Sequence, residues 1–334
     1  MKRATIKDIA LKAGVNISTV SRALKNHPDV GADLRSKIKR LAEEMNYRPN
    51  MMAVQLRKQK SNIIGLIIPE ANMFFFPSVI KGISDVIQAL GYRLLVLQSG
   101  ENLEREVENV RICYENSVDG LLMMLSNKTE KLNHLEELKE ANVPVVLLDK
   151  VLDDSGFDEV IIDDIKAAET CTEYLISTGC KNILGLFGNA NLMITAKRMK
   201  GFFNVIQAHQ AQDVKGDAEF VDDTFSAWRC VEDYFQTAQP DGIFAMSDEI
   251  IAGVIPALRK MKIPIPEKCA VLGISDGYLP QILDPQVTYL HHDGYMLGKM
   301  AAQHLIKRID GKLDAAVYEY LIMPTELIVR DSTK

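Results

Sequence analysis

The chain has 334 residues, a length of two or three domains at about 100–200 residues each. Its 47% apolar and 25% charged content is globular and excludes disordered, collagen-like and coiled-coil classes. The net charge of −6 hides an asymmetry: residues 1–60 hold 14 Lys and Arg against 5 Asp and Glu, and the remainder holds 25 against 40. A basic head on an acidic body points to a polyanion as the head's partner, with a solvated basic helix as the plain alternative.

The longest apolar runs, 63–69 and 143–148, fall short of the roughly 20 residues that span a bilayer, so no membrane partner is expected. The N-terminus is charged every few residues, which leaves no room for a signal-peptide core and implies a cytoplasmic protein. Cys113, Cys171, Cys180, Cys230 and Cys269 are scattered, odd in number and form no Cys-x-x-Cys pair, so reduced thiols are expected, without a zinc site or disulfide frame. No phosphate-cradling glycine motif occurs, and His291-His292 lacks ligand partners at useful spacing. Neither a cofactor nor a metal is expected.

In chain order, Thr5 caps a first helix, with Asp8 at the capping-box position, Ile9 and Ala10 inward and Gly14 as the stop. Asn16 caps a second helix over 17–24, with Val20 and Leu24 on its buried side. Helix, glycine-bearing turn, helix is the helix-turn-helix spacing. Ile17, Ser18, Ser21 and Arg22 then lie on the opposite face or near the N-terminus, where a recognition helix meets base edges. A third helix over 32–45 carries Leu34, Ile38, Leu41, Ala42 and Met45 on one stripe, with Arg35, Lys37, Lys39 and Arg40 mostly off it. Pro49 ends the head and Asn50 caps a two-turn segment over 51–58, too short to be a stable helix alone.

Beyond residue 61 short apolar runs alternate with helical patterns. Strands are expected at 62–68, 92–97, 120–124, 145–148 and 159–162, then at 182–187, 218–221, 242–246, 270–274 and 287–290, with a late segment at 317–322. Helices include 77–90, 164–178, 248–261 and 295–309. This is too much for one sheet and implies two similar α/β lobes. Ligands of such sheets sit beyond the strand C-termini. Phe75, Phe76, Asp149, Asp163, Ser247, Asp248, Ser275 and Asp276 all follow strands, although Asp164 and Asp248 are also placed to cap helices and the phenylalanines to fill core.

Gly273-Ile-Ser275-Asp-Gly277 fits a nucleophile elbow, and Asp284 or Asp293 with His291, His292 or His304 would complete a hydrolase order. An elbow needs a helix immediately after it, and Pro280 and Pro285 are expected to break that segment, so the chain is read as no enzyme.

Thr5-Ile-Lys-Asp-Ile-Ala, Ala13-Gly-Val-Asn, Thr19-Val-Ser-Arg-Ala-Leu and Tyr47-Arg-Pro-Asn resemble the head of the LacI/GalR family of bacterial transcriptional regulators, and the resemblance continues to the C-terminus. It implies an N-terminal all-α helix-turn-helix head joined by a hinge helix to a two-lobed, periplasmic-binding-protein-like α/β body. The implied domains are a DNA-binding head at 1–48, a hinge at 49–60 and an effector-binding, dimerising body at 61–334. Within the body the N-terminal lobe takes 61–162 and 292–323, and the C-terminal lobe takes 163–291 and 324–334.

For DNA the resemblance implies that Ile17, Ser18 and Arg22 read bases and that Thr5, Thr19, Ser21 and Lys25 hold phosphates, while Asn50, Ala53 and Leu56 belong to a hinge helix with Leu56 as a minor-groove wedge. Gly31 stands where the family commonly has Ser. For the effector it implies Arg198, Phe225 stacking on the ligand, polar contacts from Asp149, Asp163 and Ser275, and His292 in place of a frequent Gln. Ser247 replaces a usual Asn, and Ser275 a frequent Asp. That last loss leaves Arg198 less neutralised and leans the reading towards a sugar acid or sugar phosphate, with a neutral sugar still open. The resulting expectation is a homodimeric repressor of carbohydrate genes on a near-palindromic double-stranded operator, controlled by a sugar-like effector. No heptad tail follows Arg330, so no tail-built tetramer is expected. The alternatives are a cytoplasmic sugar-binding protein, or a hydrolase using Ser275.

Overall fold

The computed structural model describes residues 4–48, 60–71 and 74–333. The chain divides into two compact units, 1–61 and 62–334. The expected hinge residues Asn50, Ala53 and Leu56 lie outside the described residues.

The first unit holds α1 (Ile6–Ala13), α2 (Ile17–Leu24) and α3 (Ala32–Glu44). Thr5 and Asp8 form a reciprocal capping box at the start of α1, and Gly14 closes it at φ 71°, a left-handed conformation that costs glycine nothing. Asn16 occupies the cap position of α2, but its side chain makes no capping bond, contrary to the expectation. Ile9, Val20, Ala23 and Ile38 are fully buried between the three helices. Leu24 is only half-buried, because Ala23 takes the inward position. Arg35 does not face solvent as a free cation. It donates to the Val30 carbonyl at 2.7 Å and the His27 carbonyl at 3.0 Å, tying α3 to the loop after α2.

The second unit contains two six-stranded sheets. The first has strands β1 (Ile63–Ile68), β2 (Arg93–Gln98), β3 (Gly120–Met123), β4 (Val145–Leu148), β5 (Asp158–Ile162) and β11 (Tyr320–Met323), in the order β11-β5-β4-β3-β1-β2, all parallel. The second has β6 (Asn182–Phe187), β7 (Lys215–Phe220), β8 (Gly242–Ala245), β9 (Ala270–Ser275), β10 (Thr288–His291) and β12 (Glu326–Ile328), in the order β12-β10-β9-β8-β6-β7. Among the described residues only β12 runs antiparallel, against β10. The central strands are buried on both faces and therefore read as continuous apolar runs. The chain passes between sheets after β5, after β10 and after β11.

The helices are α4 (Phe76–Ala89), α5 (Leu103–Glu115), α6 (Glu136–Glu140), α7 (Asp164–Ser177), α8 (Met193–Ala208), α9 (Thr224–Thr237), α10 (Asp248–Lys260), α11 (Tyr278–Ile282) and α12 (Gly294–Ile309). α12 returns to pack on α4 of the first sheet's lobe. The crossing is close because both helices present glycine: a Cβ on Gly82 would stand 2.1 Å from the Tyr295 carbonyl oxygen, and one on Gly298 2.3 Å from that of Val79. Asp158 fixes the same return. It accepts Arg308 Nε and Nη2, each at 2.6 Å, and the Glu319 amide at 2.8 Å. Among the described residues, no helix is long and apolar enough to cross a membrane.

Two local expectations fail. β7 starts at Lys215, three residues before the expected start, because this edge strand alternates exposed charges and lacks an apolar run. The segment after Ser275 is not broken by Pro280: the five-residue α11 spans it, because a proline in a first turn sacrifices no intrahelical bond.

Candidate functional site

Two regions gather the residues singled out from sequence. On the head, Ile17, Ser18, Ser21, Arg22 and Lys25 fall on one side of α2 by helical spacing. Ile17 is 44% exposed, Ser18, Arg22 and Lys25 are exposed, and Thr19 and Ser21 are half-buried. Arg22 makes no ion pair among the described residues, so its guanidinium is available. Thr5 differs from the rest: its hydroxyl is bonded to the Asp8 carboxylate at 2.7 Å and is committed first to capping.

The second region is a cleft of about 630 Å³ in the body, where the C-terminal ends of both sheets' strands face each other. The aromatic residues come from both lobes. Phe75, before α4, lies against the His292 ring with centroids 4.5 Å apart. Phe225, at the start of α9, is 74% exposed. Phe76 touches the cleft but is 2% exposed and acts mainly as core, edge-on to Phe75.

Arg198 projects from α8. Its Nε donates to Asp164 Oδ1 at 2.8 Å and its Nη1 to the Met246 carbonyl at 2.5 Å. The expectation that Ser275 leaves Arg198 less neutralised is offset here, because Asp164 supplies a carboxylate from the first turn of α7. Burial pushes Asp164 up to about 6 against the opposing pull of Arg198. Asp248 begins α10 and accepts Ser275 Oγ at 2.5 Å. Burial pushes it up to about 7, opposed by the Ser275 hydrogen bond. Asp276 accepts Ser78 Oγ from the other lobe at 2.5 Å, and Glu249 accepts the Phe74 amide at 3.3 Å, so two contacts bridge the lobes beside the cleft. Burial lowers His292 to about 4, only partly offset by Asp149, which keeps the imidazole neutral.

Phe75, Phe76, Asp149, Arg198, Phe225, Ser247, Asp248, Ser275, Asp276 and His292 all line the cleft. Asp163 does not. It is exposed and caps α7 through the Lys166 amide, while its neighbour Asp164 turns inward. The cap of α10 is likewise Ser247, one residue before Asp248, although the serine side chain makes no capping bond. The wall also contains Glu70, Glu101, Asn127, Lys150, Asn189, Asp222, Asp223 and Glu249, none of them expected. Each follows a strand, so the strand-end rule applied to every strand would have found them. Ser275 has no histidine against it among the described residues: its Oγ is bonded to Asp248 and to the Gly277 amide, and His291 bonds the Asp276 carbonyl instead. A larger hollow of about 940 Å³, lined in part by Phe203, Lys215 and Tyr234, lies where β6 and β7 begin, the end of the sheet at which such folds do not bind ligands.

Residues 5–50 match the family described as bacterial regulatory proteins, lacI family, and residues 172–333 match a periplasmic binding protein-like domain. The chain is 30% identical to the ribose operon repressor of Halalkalibacterium halodurans, over 99% of this chain and 97% of the relative. It is also 30% identical to the transcriptional regulator RegA of Clostridium saccharobutylicum, over 98% and 99%. Among solved structures it is similar to the lac repressor dimer bound to operator and the anti-inducer ONPF, with a TM-score of 0.87, 23% identity and 99% of each chain covered. A helix-turn-helix head and a strand-end cleft on one chain, matched along nearly its whole length by a named repressor, place this protein in the lacI family of DNA-binding transcriptional regulators.

Proposed function

We propose that this regulator is a homodimeric repressor whose two heads bind the halves of a near-palindromic operator and whose body binds a small sugar-like effector in the cleft. The domain roles follow that reading: residues 1–48 contact DNA, 49–60 form the hinge and 61–334 bind effector and dimerise. The observation that carries it is the cleft itself, an aromatic and polar cavity bridged by contacts from both lobes, on the same chain as a head with an exposed Arg22. The ribose operon repressor among its relatives supports a sugar as the effector class and repression as the sign.

In this reading the effector favours one arrangement of the lobes over another, and it acts only through that difference in affinity. Release from DNA is the direction proposed. Ser275 holds Asp248 and the lobe-bridging loop in place and is assigned no catalytic role. The protein acts in the cytoplasm, where its operator lies.

The test has two steps on the full chain. An operator is first selected from random duplexes, and its binding is then followed by fluorescence anisotropy during titration with neutral sugars, amino sugars, uronates and sugar phosphates. The reading predicts a symmetric site and release by at least one ligand. An asymmetric site would overturn the dimer assignment, and operator binding unmoved by every ligand class would overturn the effector cleft.

A further inference from the structure

We propose that the cleft takes a polyhydroxylated ligand carrying a protonated amine, an amino sugar whose ammonium lodges on Asp149. This rests on the effector-cleft reading above and narrows it to one chemical class.

Asp149 lies at the end of β4 with its side chain 9% exposed, and no donor among the described residues bonds its carboxylate. His292 Nε2 lies 3.7 Å from its carboxylate, beyond hydrogen-bond reach. That nitrogen is itself buried with no hydrogen-bond partner, on a residue 4% exposed that lines the cleft. A nearly desolvated carboxylate and an orphaned imidazole nitrogen side by side on a cavity wall are groups that a ligand completes.

The surrounding charges select the ligand's sign. Both cations on the wall are already paired, Arg198 with Asp164 and Lys150 with Glu101, each at 2.8 Å. Of the other acids on the wall, Asp276 is engaged by Ser78 and the Tyr278 amide, Asp248 by Ser275, Asp223 by the cap of α9 and Glu249 by the Phe74 amide, while Glu70 and Asp222 add two further carboxylates to the lining. An incoming carboxylate or phosphate would meet several carboxylates and no unpaired cation. An ammonium finds in Asp149 a carboxylate set beside an unpartnered imidazole nitrogen, and its three N–H groups suffice for Asp149 and for a neutral His292 Nε2 acting as acceptor. Phe75 and Phe225 offer apolar faces for the sugar ring, and Asn127 and Asn189 offer amides for its hydroxyls.

The test titrates the full-length protein with D-glucosamine, D-galactosamine and D-mannosamine, their N-acetyl counterparts, the parent hexoses and the corresponding uronates, read by thermal unfolding and calorimetry. The expected result is binding of a hexosamine, with its N-acetyl counterpart roughly tenfold or more weaker, since acetylation removes a charge-assisted hydrogen bond. Asp149→Asn is expected to abolish that preference. Asparagine keeps the shape and tolerates the positive φ of 56° at this position, so the variant folds. A hexose, N-acetyl sugar or uronate that binds as tightly as the hexosamine overturns the amine and leaves the effector cleft standing. A preference that survives Asp149→Asn overturns the placement. Silence across this panel overturns the amine, and the cleft reading falls with it only if the wider operator-release screen is silent too.

Discussion

Arg198 and Asp164 are buried together, with side chains 5% and 6% exposed and Nε 2.8 Å from Oδ1. The arginine on the cleft wall is therefore balanced from below, and the cavity is acidic on balance. Asp164→Asn keeps an acceptor and removes the charge. It is expected to cost on the order of 3 kcal/mol, because a buried guanidinium is left uncompensated, and to admit anions. Denaturant unfolding reads the first effect and uronate titration the second. Unchanged stability and unchanged selectivity would show that Arg198 is neutralised elsewhere.

Arg22 is exposed on α2 with no ion pair among the described residues. If it grips a guanine edge with both prongs, Arg22→Ala loses about 1–3 kcal/mol of discrimination at one operator position. Competition between matched and mutated duplexes measures this, and ligand binding in the cleft is expected to stay at its original affinity. A uniform loss across all sequences would make Arg22 a phosphate contact.

Two buried titrating groups pull stability in opposite directions. His292 is lowered from 6.5 to about 4, so between those values the unfolded chain binds a proton that the native protein refuses. Its contribution is present above about pH 6.5 and is lost as pH falls towards 4. Asp248 is raised from 3.8 to about 7, so the native protein holds a proton that the unfolded chain has released, and its contribution falls as pH rises through that window. Urea midpoints from pH 4.5 to 7.5 are expected to fall more steeply with rising pH in His292→Gln than in the parent, and to rise more steeply in Asp248→Asn. Parallel profiles for the two variants would contradict the assignment.

Gly298 and Gly82 set the distance between α12 and α4. Gly298→Ala places a methyl group 2.3 Å from a backbone oxygen, which no side-chain rotation relieves. The helices must separate, at about 1–3 kcal/mol or more. Thermal unfolding measures this. A rise in stability, from alanine's better helix propensity, would mean that the crossing is looser than the backbone indicates.

Much of this fold was legible because it rests on local patterns. The capping box at Thr5, the glycine stop at Gly14 and the apolar stripe of α3 are each written within a few residues. Buried strands such as β4 and β9 announce themselves as apolar runs, since both faces lie under helices. The edge strand β7 and the short antiparallel β12 were misplaced or missed, because an edge strand buries too little to need an apolar sequence. The cleft was partly legible through the strand-end rule, which found Asp149, Ser247 and Ser275. Glu101, Lys150 and Glu249 follow strands in the same way and line the same cleft.

The helix-turn-helix head, the two α/β lobes and the strand ends from which a ligand site is built are readable from local patterns, because helical and strand periodicities and turn residues act over short spans. Which of two adjacent aspartates turns inward depends on long-range packing. Asp163 caps α7 and Asp164 meets Arg198, a choice set by the approach of α8 some 34 residues later in the chain. The same long-range packing decided the cleft's charge, since whether a carboxylate is spent on a partner within the protein or left open for a ligand depends on neighbours the sequence does not place beside it.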